Sequence, residues 1–181
     1  GILEFSEGTP GDRLAGIVPD HGIEIDNKSL THRPDLWGHH GMAREVAAIT
    51  GLELRDPVPQ VRWDGAPALK VEIEDYELCP RYSALVFENV TIGPSPLWLQ
   101  YRLEAIGLNP ISNIVDVTNY VMAELAQPTH AFDADLLKGD TIYVRRARAG
   151  ERVRALNDEE YALDEQAVVI ADAGGAEAIA G

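Results

Sequence analysis

Residues 113–133 concentrate side chains that can bind a substrate, orient it and move protons. A hydroxyl and an amide follow one another at Thr118 and Asn119, and an imidazole comes later at His130. Carboxylates at Asp116 and Asp133 complete a set of groups suited to proton transfer and to polar ligands. No other stretch of the sequence brings together so many groups of this kind.

The first part of this stretch has the periodicity of a helix. Apolar residues recur at spacings of three and four, which places them on one helical face: Ile114, Val117, Val121 and Leu125. The polar residues lie elsewhere on the same helix. Gln127-Pro128 ends it, because proline disfavours helical geometry in the residue before it. His130 is therefore expected in the loop that follows the helix.

Two common kinds of site have their residue types here but lack the surrounding sequence that such sites require. Ser112, His130 and Asp133 are the residue types of a serine hydrolase, yet no nucleophile elbow surrounds the serine. His39 and His40 are adjacent, so they point about 100° apart on a helix and cannot share a metal ion as an i, i+4 pair. With no carboxylate at ligand spacing, surface or packing roles are favoured for both, and for His32, over a metal site.

Composition limits the kinds of partner. The formal net charge of −15 is unlike that of a nucleic-acid-binding surface, which is usually basic. A local cluster of arginines exists, and a solvated hairpin face is its favoured interpretation: Arg145, Arg146, Arg148, Arg152 and Arg154. A lone Cys79 gives no disulfide framework. No apolar run approaches the ~20 residues that span a bilayer, so a cytoplasmic protein without a membrane partner is expected.

The pattern of elements predicts an α+β fold. A helix over 36–50 is expected, with Asp35 as its N-cap, Gly51 as its stop, and Gly38 and Gly41 allowing close packing. Ser95 is expected to cap a second helix over 97–106. Alternating or continuous apolar runs predict strands at 21–26, 69–73, 81–90, 141–145, 151–156, 160–163, 167–171 and 176–180. Because no βαβ unit repeats, the sheet should be mixed rather than doubly wound.

Three long motifs resemble the β subunit of phenylalanyl-tRNA synthetases of the bacterial type, and they occur in that family's order. They are THRPDLWGHHGMAREVAAITG, CPRYSALVFENVTIGPSPLWLQYRLEAIG and VDVTNYVMAELAQPTHAFD. One residue departs from the family's pattern, since Ala126 stands where relatives usually carry glycine before Gln-Pro. The resemblance covers nearly the whole chain.

The resemblance implies a domain plan. Residues 1–55 would be the C-terminal half of a split helical core domain, 56–68 a linker, and 69–181 a C-terminally truncated tRNA-editing domain. The parent enzyme charges tRNA with phenylalanine using ATP and Mg²⁺, on an α subunit with which the β subunit forms an α2β2 tetramer. No cofactor is then expected in this chain, and no activation of amino acids.

The resemblance also implies an editing site that hydrolyses mischarged Tyr-tRNA. By matching position, Thr118, Asn119 and His130 would line its pocket. An acidic residue that reads the tyrosine hydroxyl in the family would lie beyond Gly181, so weak or absent hydrolysis is expected of the chain alone. A non-catalytic scaffold for the α subunit and tRNA is the alternative. A free-standing editing protein is disfavoured, because it would not need the helical segment before the linker.

Overall fold

The computed structural model describes residues 8–17, 19–62 and 69–180, which form helices and a mixed β-sheet. The helices are α1 (Leu14–Ile17), α2 (His39–Thr50), α3 (Leu97–Ala105) and α4 (Asn113–Leu125), with 3-10 turns at Lys28–Leu30 and Pro34–Trp37. The strands are β1 (Lys70–Ile73), β2 (Thr141–Arg146), β3 (Arg152–Arg154), β4 (Glu160–Ala162), β5 (Val168–Ala171) and β6 (Ala176–Ile179). This content confirms the predicted α+β class.

Contacts divide the described residues into two compact units. The helical unit takes its residues from Gly1–Gln60 and Thr91–Ala131, and the sheet unit from Val61–Val90 and Phe132–Gly181. The helical unit therefore joins the N-terminal helix α2 with α3 and α4. These compact units are defined by contacts and combine separate parts of the sequence. The boundaries of the sequential domains stay a prediction.

The sheet unit is built on four strands in the order β1-β2-β5-β6. β1 and β2 are parallel, and the two other pairs are antiparallel. Successive residues of β5 pack on opposite faces, Ile170 against Ile142 and Val144 on one, and Val169 on the other. A strand covered on both faces needs apolar residues throughout, so the continuous run at 167–171 correctly predicted an interior strand.

A two-stranded hairpin, β3-β4, lies beside this sheet. Its turn places Asp158 at a φ of +64°, in the left-handed region that Asn and Asp tolerate better than most residues. The hairpin predicted across Asn157-Asp158 is confirmed, as are the strands predicted at 69–73, 141–145 and 176–180.

One buried ion pair ties the sheet unit together. The Arg145 side chain is 2% exposed, and its guanidinium donates two hydrogen bonds to Glu151, of 2.7 and 2.8 Å. Glu151 also accepts from the backbone N–H groups of Arg148 and Ala176. These bonds hold the pKa of Glu151 at about 2, chiefly through Arg145. A single carboxylate thus links β2, the turn before β3, and β6.

Two predicted strands are wrong. Residues 21–26 and 81–90 form no strand, and most of their apolar side chains face solvent, with Ile23 84% and Phe87 67% exposed. Tyr82 is the exception, since it packs against the core cluster of Ile142, Val144 and Ile170. Alternation predicts a strand only where a neighbour offers backbone groups for pairing. No strand among the described residues pairs with either segment.

The helix predicted at 36–50 forms in two parts. A 3-10 turn precedes α2, and Gly51 at a φ of +72° ends α2 by donating its N–H to the Ala47 carbonyl. The prediction of Asp35 as N-cap is wrong, because Gly38 occupies that position. The Asp35 carboxylate instead pairs with Arg33 and Arg44, at 2.9 Å each.

The prediction that Gly38 and Gly41 allow close packing is confirmed. A Cβ atom on Gly41 would lie 1.7 Å from the Asp35 carbonyl oxygen. A Cβ atom on Gly38 would lie 2.5 Å from the backbone nitrogen of Ala126, at the end of α4. Only glycine lets α2 approach α4 this closely.

Helix α4 ends at a residue in an unfavourable conformation. Ala126 has φ +57° and ψ +28°, and its N–H donates to the Met122 carbonyl. This left-handed geometry is the usual place for glycine, because the Cβ atom of other residues is crowded there. Alanine in place of the usual glycine at position 126 therefore adds strain at the helix end, while the hydrogen bond from Ala126 to Met122 still forms.

Replacing Ala126 with glycine should stabilise the helical unit by about 1 kcal/mol, because it relieves the left-handed strain. Chemical denaturation measures the change in unfolding free energy. Ala123→Gly, inside the same helix, is the control and should destabilise by about 1 kcal/mol. Equal losses at both positions would contradict the assignment of strain to Ala126.

Replacing Glu151 with glutamine should destabilise the sheet unit by roughly 3 kcal/mol at neutral pH, because it leaves Arg145 buried without its counter-charge. The pKa of Glu151 is lower in the folded chain, so the unfolded chain takes up the proton first and acid favours unfolding. The wild-type advantage should therefore shrink as pH falls from about 4.5 to about 2.

Denaturation at several pH values tests this, with Glu160→Gln as control. Glu160 pairs with Arg152 on the surface, where such a pair contributes less than about 1 kcal/mol. A difference between wild type and Glu151→Gln that does not change with pH would contradict the prediction.

Candidate functional site

Helix α4 carries two of the three predicted site residues, and a buried carboxylate fixes its position. Asp116 is 0% exposed. Its side chain accepts hydrogen bonds from the Ser95 hydroxyl, at 2.5 Å, and from the Ile111 N–H, at 2.8 Å. The prediction of Ser95 as a helix cap is therefore wrong, since its hydroxyl ties the start of α3 to α4 instead.

Asn113 fastens the first turn of α4 to the chain before α3. Its side-chain amide donates to the Thr91 carbonyl at 2.9 Å and accepts from the Gly93 N–H at 3.3 Å. Its backbone N–H donates to the Gly93 carbonyl at 2.8 Å. The N-terminal half of α4 is thus held at two positions, Asn113 and Asp116.

An aromatic cluster joins α3 and α4 along their length. The rings of Trp98 and Tyr120 meet edge to face, with centroids 5.7 Å apart. Arg102 lies over the Trp98 ring at 5.6 Å and donates to the Tyr120 hydroxyl at 3.0 Å. Tyr120 in turn donates to Glu124 at 3.3 Å. These contacts fix the rotation of α4 about its axis.

The apolar stripe that predicted α4 is not its most buried side. Ile114, Val121 and Leu125 are half-buried, and Val117 is 52% exposed. Asp116 is the fully buried residue of this helix. The periodicity thus predicted the helix correctly, while the polar anchor determines which side faces inward.

Thr118 and Asn119 are both half-buried but differ in their bonding. The Thr118 hydroxyl donates to the Val115 carbonyl one turn earlier, at 2.7 Å. The Asn119 side chain makes no hydrogen bond to any of the described residues. Consecutive helical residues diverge by about 100°, so the two side chains leave α4 in different directions. Asn119 keeps its full capacity for a ligand.

His130 lies in the exposed loop that follows α4, as predicted. The two other members of the disfavoured hydrolase set serve backbone turns. Ser112 precedes α4, where its carbonyl accepts from the Asp116 N–H, and Asp133 accepts from the Asp135 N–H. Thr118, Asn119 and His130 therefore belong to one helix and the loop that continues it.

The arginine cluster is largely neutralised by acidic neighbours. Arg145 is buried with Glu151, as described above. Arg146 pairs with Asp75 at 3.5 Å. Arg152 pairs with Glu160 at 2.8 Å, and Arg154 with Asp158 at 3.1 Å. The prediction of a solvated hairpin face fits Arg152 and Arg154, which lie on β3, and is wrong for Arg145, which is buried on β2. The pairing leaves little free positive charge for a phosphate backbone.

The histidines of the N-terminal segment do not converge. Within residues 8–17, 19–62 and 69–180, no group of three or more metal-ligating side chains lies close enough to hold an ion. His39 instead bonds to α4, through its Nδ1 atom and the Ala123 carbonyl oxygen at 2.9 Å. No helix in the described part of the chain is long and apolar enough to cross a membrane.

A shallow depression of about 420 Å³ lies beside α1. It is lined by Gly8, Asp12, Arg13, Gly16 and Ile17. None of these belongs to the predicted site, so this depression does not argue for a function of α4.

Sequence reasoning missed the contacts that hold the site. Asp116 has a local signal, since a carboxylate between Val115 and Val117 in an apolar helix is unusual unless it is bonded. Its partner Ser95 has none, because the two residues are brought together only by the packing of α3 on α4. The bond from His39 to Ala123 likewise has no signal in the sequence.

Comparison with known proteins gives the same family as the motifs. The B3/4 domain family matches residues 78–181. The phenylalanine–tRNA ligase beta subunit of Solibacter usitatus is 70% identical over 182 residues, which cover 100% of this chain and 24% of that protein. The subunit of Anaeromyxobacter dehalogenans is 44% identical, with 100% and 23% covered, and that of Thermotoga maritima 43%, with 90% and 21% covered.

The chain spans about a quarter of the length of these relatives. The match nevertheless runs from the N-terminal segment through α4 and across the sheet unit. The chain therefore belongs to the B3/4 domain family and, along its whole length, to the family of phenylalanine–tRNA ligase beta subunits.

Proposed function

We propose that this chain is part of a phenylalanyl-tRNA synthetase and that α4 forms one wall of a site that hydrolyses Tyr-tRNA. One observation carries the proposal. The helix with the matching motif is anchored by buried bonds at Asp116, while Asn119 on the same helix has no hydrogen-bond partner among the described residues. Such a rigid helix with an unused amide is suited to orienting a ligand.

Selectivity explains why such an enzyme needs a second site. A hydrophobic pocket for phenylalanine rejects an isostere that adds a hydroxyl by only about 100-fold. A separate pocket with polar groups recognises that hydroxyl directly, and hydrolysis there removes the wrong amino acid. The proposed reaction breaks the ester between tyrosine and the terminal adenosine by attack of water.

The bonding of each residue limits its role. The Thr118 proton is committed to the Val115 carbonyl, so the hydroxyl oxygen serves a ligand or the attacking water as an acceptor. The Asn119 amide can both donate and accept, which suits the polar groups of tyrosine or its ester. His130 would bind the terminal adenosine or position the water. We do not assign it as the general base.

The parts of the enzyme outside this chain belong to the same proposal. Aminoacylation with ATP and Mg²⁺ would take place on an α subunit, within a cytoplasmic α2β2 tetramer. We assign no cofactor to this chain. Because the net charge is −15 and Arg145, Arg146, Arg152 and Arg154 are paired with carboxylates, most of the charge that binds tRNA would come from elsewhere in the complex.

A non-catalytic scaffold is the second candidate function. The observation that favours it is the Thr118 hydroxyl, which is satisfied within its own helix. In that case the chain would hold the α subunit and tRNA, and the polar residues of α4 would serve structure alone.

Alanine at Asn119 and at His130, singly and together, tests the proposal in the complete α/β enzyme. Each single change should slow Tyr-tRNA deacylation on the order of 100-fold, as loss of one positioned hydrogen-bond donor does in other enzymes. Charging of tRNA with phenylalanine should be unchanged. Both rates are measured with purified tRNA.

Val117→Ala is the matched control, because this side chain lies on the same helix and is largely exposed. It should leave both rates unchanged. Normal deacylation by the double variant would refute the editing proposal and favour the scaffold.

A further inference from the structure

The N-terminus of α2 lies against the C-terminal turn of α4. His39, the first residue of α2, places its Nδ1 atom 2.9 Å from the Ala123 carbonyl oxygen. Gly38 adjoins Ala126 so closely that an added Cβ atom would lie 2.5 Å from the Ala126 nitrogen. Two consecutive residues of the N-terminal segment therefore touch the end of the helix that carries Asn119.

The chemistry of this contact is specific. The last four carbonyl groups of a helix have no partner within the helix, and Ala123 lies among the last residues of α4. A carbonyl oxygen can only accept, so the Nδ1 atom of His39 donates and carries the proton. The bond thus satisfies an acceptor at the end of α4 that would otherwise rely on water.

The two ends of α4 are held by different parts of the chain. Asp116 and Asn113 fix its N-terminal half to the segment around α3. His39 fixes its C-terminal turn, from which the chain leaves towards His130. A looser C-terminal turn would change the starting point and direction of that loop, while Asp116 would continue to hold the rest of the helix.

We propose that His39 is a positioning residue for editing, because its bond to Ala123 sets the place of the His130 loop relative to Asn119. This inference rests on the proposed editing function. It gives the N-terminal segment a direct role in that reaction, beyond general support of the subunit.

Three substitutions at His39 test the bond in the complete α/β enzyme. Asparagine places an amide nitrogen where the histidine has Nδ1, whereas glutamine places one where it has Nε2, and alanine has no donor. The kcat of Tyr-tRNA deacylation should fall by about 10-fold in His39→Ala and His39→Gln, since a displacement of about 1 Å costs up to about 100-fold. His39→Asn should retain most of the wild-type rate. Phenylalanine charging should stay within about twofold in all three.

His40→Ala is the control, because its ring makes no hydrogen bond to the described residues although it is the next residue of α2. It should deacylate like wild type. Wild-type deacylation by His39→Ala would overturn the inference, and so would an equal loss in His39→Asn and His39→Gln. If His39→Ala does not assemble, the comparison of asparagine with glutamine decides.

The same assay separates the two proposals. If the Asn119→Ala, His130→Ala double variant is inactive in deacylation while the His39 variants are normal, only the positioning role fails. If the double variant deacylates normally, the editing function itself fails.

Discussion

A carboxylate taken fully out of water organises the helical unit. Burial of a polar group costs free energy unless it is hydrogen-bonded, so Asp116 requires donors at fixed places. The Ser95 hydroxyl and the Ile111 N–H supply them, one from the start of α3 and one from the turn before α4. Meeting this single requirement brings three segments together and fixes the helix on which Thr118 and Asn119 lie. The sheet unit uses the same device, with Glu151 receiving bonds from Arg145, Arg148 and Ala176.

Hydrogen bonds hold α4 in a defined position although much of its surface is exposed. Helix α4 has few deeply buried apolar side chains, and Val117 is mostly exposed. Directional bonds at Asn113, Asp116 and the Ala123 carbonyl hold it instead, because each fixes a distance that apolar contact leaves adjustable. Thr118 and Asn119, which are proposed to touch substrate, can therefore remain half-exposed while these bonds hold their helix in place.

Local patterns predicted much of the fold, and the failures share one cause. Strand β5, the β3-β4 hairpin and helix α4 were predictable because their periodicity and turn residues are complete within each segment. Residues 21–26 and 81–90 alternate equally well but form no strand, since pairing depends on a partner that alternation does not supply. Ser95 has the residue type of a helix cap, yet a distant carboxylate competes for its hydroxyl. For the candidate site, motif resemblance named Thr118, Asn119 and His130, while the bonds that hold their helix came only from the structure.

The central claim is that α4 contacts the amino acid to be removed. A crystal structure of the complete α/β enzyme soaked with tyrosine tests it most directly. We expect tyrosine bound beside α4, with a polar atom within about 3.2 Å of the Asn119 side chain and the bonds of Asp116 unchanged. Tyrosine found only at other sites of the enzyme, with none in contact with α4, would contradict it.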